Sequence, residues 1–381
     1  MNTELAEKSA DPVVAPKTHT YKTLDAWRGL ASLWVVLYHT SAPLADKFHL
    51  TAHGIYLLPL NGYLGVSVFF VVSGYCIAHA AVLSRGKLNG LRSYFAARFR
   101  RIYWPCILSL PLYVALGLLA TFLVSHHYLK SSALAQQNFL HHGFLYYASN
   151  LTLTQIVLHQ QFVSPVCWTL CYEAAFYVIV GLMLALKLRT EYQLLNGMHI
   201  LTVATLLYWL VAPKSVFYPL DYWPLFGMGV MVYDLLKHQR PAAKIAFISA
   251  VSLVLVFDWL NYSGGYIGRG TRLTFSCALA AALLMWLLHR YDERLMKFRL
   301  VQWMSWLGLF SYSLYLTHWL VVGLVLQFLS KIHLELPVLC LVVSSVVSVV
   351  AAYGFYLVCE RPFMKKKALL ESASEERKVL S

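Results

Sequence analysis

Ten apolar stretches, each near the length needed to cross a bilayer, run along this chain with short basic segments between them. They fall at roughly 24–44, 61–82, 102–125, 166–187, 198–213, 217–236, 244–260, 271–289, 303–329 and 336–358, the fifth and seventh being the shortest. A helix rises about 1.5 Å per residue, so ~20 apolar residues cross the hydrocarbon core. Of 381 residues, 59% are hydrophobic and only 13% charged, where a soluble domain carries about 25% charge. No water-facing globule could cover that much apolar surface. The predicted fold class is all-α: a polytopic membrane protein of about ten transmembrane helices, because only helices or closed barrels satisfy backbone hydrogen bonds in lipid. The chain divides into a polar, disordered tail (1–22), a membrane domain (23–364) and a second tail (365–381).

The basic residues set the expected orientation. With an N-terminus in the cytoplasm and ten spans, 24 of the lysines and arginines fall on the inner side and 6 on the outer side. That is the bias of a plasma-membrane protein with both termini cytoplasmic. The net charge of +14 is thus accounted for by topology, and no nucleic-acid-binding module accompanies it. The seven cysteines lie in or beside apolar runs without zinc-like spacing, as buried small side chains do. No metal centre is predicted. The longest outer segment, 126–165, is rich in His, Tyr, Asn and Gln, with a partly helical or re-entrant piece expected around Phe144 to Leu158.

Within this apolar background the ionisable residues stand out, because such groups are costly in a membrane and mark function by default. The first span reads LDAWRGLASLWVVLYHT and carries Arg28 and His39. Eleven residues on a helix turn through about 1100°, three turns and ~20°, so the two side chains share one face about 16 Å apart. An anion site at the inner end and a titratable base toward the outer end would then lie along one line. Plainer readings are a snorkelling cation for Arg28 and a helix-packing hydrogen bond for His39. In SPVCWTLCYEAAFY, Glu173 lies in the outer half of the fourth span, at a depth expected to match His39; Trp168 there suits an interfacial belt. In RSYFAARFRRIYWP, Arg98 and Arg101 lie three apart on one helix face, suited to phosphate or to anionic membrane lipid. GVSVFFVVSGYCI offers Ser73 and Tyr75 as ligand-bonding groups, FSYSLYLTHWLVV carries His318, and ERPF closes the last span.

Taken together and in this order, these stretches resemble the acyltransferase 3 family of membrane acyltransferases, from about Tyr21 to Met364. The resemblance implies a ten-helix bundle that moves an acyl group, usually acetyl, from cytoplasmic acyl-coenzyme A to a hydroxyl of a cell-surface or lipid-linked carbohydrate. The family's Arg-x10-His motif falls on Arg28 and His39, and its Arg-x2-Arg motif on Arg98 and Arg101. Its Ser-Gly-aromatic motif falls on Ser73, Gly74 and Tyr75. The glutamate of its Trp-Ser/Thr-Leu motif falls on Glu173. Many members carry a second acid next; here that place is Ala174, and the stretch is more similar to that of exopolysaccharide-modifying O-acetyltransferases.

The chemistry implied is that Arg28, Arg98 and Arg101 hold the coenzyme A phosphates. His39, oriented by Glu173, removes the acceptor proton. Ser73 or Tyr75 bonds the oxyanion, with Trp168 and His318 on the substrate side. A competing reading of the same spans is a multi-pass transporter or polysaccharide exporter, against which stands the gathering of cations at one face.

Overall fold

The computed structural model describes residues 21–128, 135–137, 139–186, 190–212, 217–264 and 269–363, and among them no residue is in a strand. The two predicted tails lie outside the described residues except for Tyr21 and Lys22. Those two are held to the body: Tyr21 donates to the Met285 carbonyl at 2.8 Å, and Lys22 pairs with Glu293.

The helices run in order: α1 Leu24–Phe48, α2 Leu57–Leu60, α3 Gly65–Ser84, α4 Gly90–Ser125 and α5 Phe144–Thr152. There follow α6 Trp168–Ala185, α7 Glu191–Val211, α8 Trp223–Lys237, α9 Pro241–Gly264 and α10 Arg269–Leu288. The last four are α11 Asp292–Leu295, α12 Arg299–Leu309, α13 Ser311–Lys331 and α14 Pro337–Phe355.

Each predicted span corresponds to helix, and eight helical stretches among the described residues are long and apolar enough to cross a membrane. The protein is a polytopic, all-helical membrane protein. The other two predicted spans are helices of different character. α1 has 25 residues and carries Asp25, Arg28, Asp46 and Lys47. α8 has only 15, and every residue from Trp223 to Leu235 is buried, as befits a helix that is apolar all round. α8 is enclosed by α3, α7, α9 and α10. The fifth and seventh spans, short in sequence, extend to 21 residues in α7 and 24 in α9.

Two boundaries differ from the sequence expectation. α4 begins at Gly90, ahead of the span expected from 102, and runs 36 residues, about 54 Å, so Arg98 and Arg101 lie on one helix as the spacing predicts. The stretch read as a single span at 303–329 is broken at Phe310 (φ −119°, ψ 21°) into α12 and α13. Glycines explain where α12 lies. A Cβ on Gly29 would strike the Met304 carbonyl, and one on Gly308 would strike that of Asp25, so α1 and α12 cross backbone to backbone. The same reciprocal contact joins α3 to α8, with Gly74 against Phe226 and Gly229 against Val71.

The segment expected to be partly helical between α4 and α6 is so. α5 ends at Leu153 in the left-handed conformation, and buried Asn150 ties the loop together. Its Oδ1 accepts from Gln155 Nε2 at 2.9 Å and Val163 N at 2.8 Å, while its Nδ2 donates to the Gln161 carbonyl at 3.0 Å. At the basic end of the bundle, Asp234 accepts from Arg240 and lies 2.8 Å from His199 Nε2, joining α7, α8 and the start of α9.

Candidate active site

Two cavities lie between α1, α3, α6 and α13. The first is walled by Arg28 of α1, Ser73 and Cys76 of α3, Arg98 and Arg101 of α4, and Glu173 and Tyr177 of α6. Three guanidiniums thus face one another with a single carboxylate on the wall. That carboxylate is occupied: Glu173 Oε1 accepts from Ser73 Oγ and from Tyr177 OH, each at 2.6 Å. The Arg98 guanidinium lies 5.8 Å from the Tyr177 ring centre, and its Nε is buried without a hydrogen-bond partner. Arg28 keeps only a long contact to Asp25, 3.4 Å, at one end of α1. Its side chain is 17% exposed. Near the same cluster, Glu360 of the π-helical turn Tyr356–Glu360 accepts from Ser313 Oγ at 2.5 Å and is 6% exposed. Cations gathered inside a membrane protein are costly to hold, and planar guanidiniums match phosphate oxygens in pairs.

The second cavity is walled by Val35, Tyr38 and His39 of α1, by Tyr63, and by Trp168 of α6 with Tyr222 packed on it, ring centres 5.5 Å apart. His39 makes edge contact with Tyr38, ring centres 5.3 Å apart, and a tilted contact with His318 at 5.1 Å. Val66 and Tyr315 belong to the walls of both cavities. Tyr315 is pinned there by Thr169, 2.7 Å from hydroxyl to hydroxyl, and by donation to the Val166 carbonyl at 3.1 Å. The cavity lined by the arginines and the cavity lined by His39 therefore share a wall made of Val66 and Tyr315.

This placement sorts the residues singled out in the sequence. Arg28, Arg98, Arg101, Ser73 and Glu173 come together in the first cavity; His39 and Trp168 come together in the second. Glu173 does not meet His39, contrary to the expected pairing. Five residues separate Trp168 from Glu173, about 7.5 Å along the helix, and it is Trp168 that shares the depth of His39. Tyr75 does not line the first cavity either. It is buried on the far side of α3, against Tyr21 and Tyr233 with ring centres 5.5 Å away in each case. His318 is behind His39, fully buried. Sequence reasoning missed Tyr177, Thr169, Tyr315 and Glu360. Tyr177 was within reach, since it is four residues past Glu173 and on its face. Glu360 was too, as an ionisable group closing a span. Among the described residues, no cluster of three or more His, Cys, Asp or Glu could hold a metal ion.

The structure thus sets a cavity lined by three arginines beside one lined by a histidine. Comparison with known proteins gives the class. The family described as an acyltransferase domain matches residues 21–357. The chain belongs to this family and is an acyltransferase of groups other than aminoacyl. It is 28% identical over 312 residues to a protein of Komagataeibacter xylinus named as a membrane-bound transacylase, BcsY, covering 78% of this chain and 72% of that protein. It is 24% identical over 385 aligned positions to a protein of Staphylococcus aureus named as an O-acetyltransferase, covering 90% of this chain but 57% of that one. A Bacillus subtilis protein named as a peptidoglycan O-acetyltransferase, YrhL, is 25% identical over 341, covering 79% of this chain and 48% of that one. The chain thus spans about half the length of the last two. No solved structure matches it.

Proposed function

We propose that the chain is a membrane O-acetyltransferase that takes acetyl from cytoplasmic acetyl-coenzyme A and passes it to a hydroxyl of a cell-surface or lipid-linked carbohydrate. The observation that carries this reading is the pair of cavities meeting at Val66 and Tyr315, with Arg28, Arg98 and Arg101 in one and His39 in the other. The names of the three relatives support acyl, and in two cases acetyl, as the group moved, and one of them a cell-wall polymer as acceptor.

In this reading the guanidiniums bind the phosphates of the donor at the basic end, and the unpartnered Nε of Arg98 gains an acceptor. The thioester reaches the shared wall, and the acceptor hydroxyl enters from the His39 side. His39 takes the hydroxyl proton as the oxygen attacks the thioester carbon. The carbon–sulfur bond breaks, and the proton on His39 passes to the leaving thiolate. Glu173 is a positioning residue: it fixes Ser73 and Tyr177 and balances part of the arginine charge. The orientation is both termini in the cytoplasm of a cell with the protein in its plasma membrane, supported by the charge bias of the loops.

The test is transfer of label from radiolabelled acetyl-coenzyme A by the protein in lipid vesicles, wild type against His39→Ala. Loss of at least ~10²-fold in turnover is expected, with the variant as stable as wild type. Unchanged transfer by the variant contradicts the assignment.

A further inference from the structure

His318 occupies an unusual position for a buried histidine. It is 0% exposed. Its Nδ1 is 2.7 Å from the Tyr315 carbonyl and 3.2 Å from that of Leu314, one turn back along α13. Carbonyl oxygens only accept, so the proton is on Nδ1 and Nε2 presents a lone pair. That Nε2 is buried with no hydrogen-bond partner. Buried polar atoms are almost always bonded, and an exception asks for an explanation. Two rings pack on that of His318: His39, 5.1 Å between centres and tilted by 49°, and Tyr315 at 5.6 Å; of the two, only His39 carries a nitrogen that can donate.

We propose that His318 Nε2 accepts a hydrogen bond from the His39 ring during turnover, making His318 the positioning residue of the proposed base. A neutral imidazole has one N–H. Given to His318, it leaves the other nitrogen of His39 bare and turned to the cavity, where a hydroxyl proton can be taken. The α13 backbone holds His318 in the one tautomer that can do this. The proposal requires only that the His39 ring turn within the contact already present. Once His39 is protonated, the same bond becomes charge-assisted and shorter. A neutral histidine, unlike a carboxylate, does not cancel the imidazolium charge, so the proton remains easy to return to the leaving thiolate.

This inference rests on the reading of His39 as the base, and the test separates the two. The full chain in lipid vesicles is given acetyl-coenzyme A, with glycerol as hydroxyl acceptor, and thiol release is measured. His318→Phe keeps the ring and removes both nitrogens. We expect kcat to fall by about 10²-fold, the scale on which misplacing a reacting group acts, with KM for acetyl-coenzyme A unchanged. His318→Gln places an amide oxygen near the lost Nε2, whereas His318→Asn restores only the Nδ1 side. Gln is expected to retain activity that Asn does not, and this comparison decides the matter even where Phe unfolds. Wild-type kcat in a folded His318→Phe, or equal losses in Gln and Asn, overturns the role of His318 while leaving His39 in place. Wild-type turnover by His39→Ala, or none by the wild type, overturns the underlying reading and this one with it.

Discussion

Glu173 was expected beside His39 and instead holds Ser73 and Tyr177 among three arginines. Chain position reports the depth of a side chain in the membrane only to within a turn, and it does not report which neighbour the side chain faces. The alignment of Arg28 with His39 was legible because both lie on one helix, where angle and rise are fixed; the partner of Glu173 was not, because it is on another. Glu173 has a distinct signature in stability. Glu173→Gln keeps an oxygen acceptor for both hydroxyls, whereas Glu173→Ala leaves them unpaired, and each unpaired buried group costs about 1–3 kcal/mol. Thermal unfolding in detergent should therefore rank wild type and Gln above Ala. Equal midpoints for Gln and Ala would remove the structural role assigned here.

At the level of elements, the helices were legible from their apolar runs, while the break at Phe310 was not. SWLGLFSYSLY holds no proline or charge to mark a break; what accompanies the separation of α12 from α13 is the close crossing of α12 on α1, at Gly29 and Gly308. This crossing sets the position of the α1 turn that bears Arg28, one residue before Gly29. Gly308→Leu would drive a side chain into the Asp25 backbone. It is expected to cost at least ~1–3 kcal/mol, the range for overpacking, and to weaken acetyl-coenzyme A binding through Arg28. A variant with wild-type stability and affinity would show that the crossing does not position the site. α8 was read as an ordinary span, and its short length follows from its place: enclosed by four helices, it has no lipid face to maintain.

Over the whole molecule, both the fold class and the two ends of the bundle follow from composition and charge. The ends are also tied differently. At the basic end Lys22 meets Glu293 and Asp234 meets Arg240; at the other, Lys47 meets Glu335. The proposed orientation makes the first end cytoplasmic. Leu88, fully exposed at the basic end, and Ile55, 70% exposed beyond the far end of α1, report on it. A membrane-impermeant maleimide added to intact cells should label Ile55→Cys and spare Leu88→Cys; the reverse pattern, or labelling of both, would contradict the orientation. The second cavity was not legible as a cavity: His39 and Trp168 were singled out, but the other residues that wall it, such as Tyr63, Val166 and Tyr222, come from segments far apart in the chain.

The central claim is that donor binding and chemistry occur on opposite sides of the Val66–Tyr315 partition. Titration of acetyl-coenzyme A into the protein, paired with single-turnover transfer, tests it on two variants. His39→Ala should bind as wild type and fail to transfer, whereas Arg98→Ala/Arg101→Ala should lose about tenfold or more in affinity, as charged hydrogen bonds worth ~1.5–3 kcal/mol require. If His39→Ala loses binding as severely as the arginine variant, or if the arginine variant binds as wild type, the division of labour between the two cavities is contradicted.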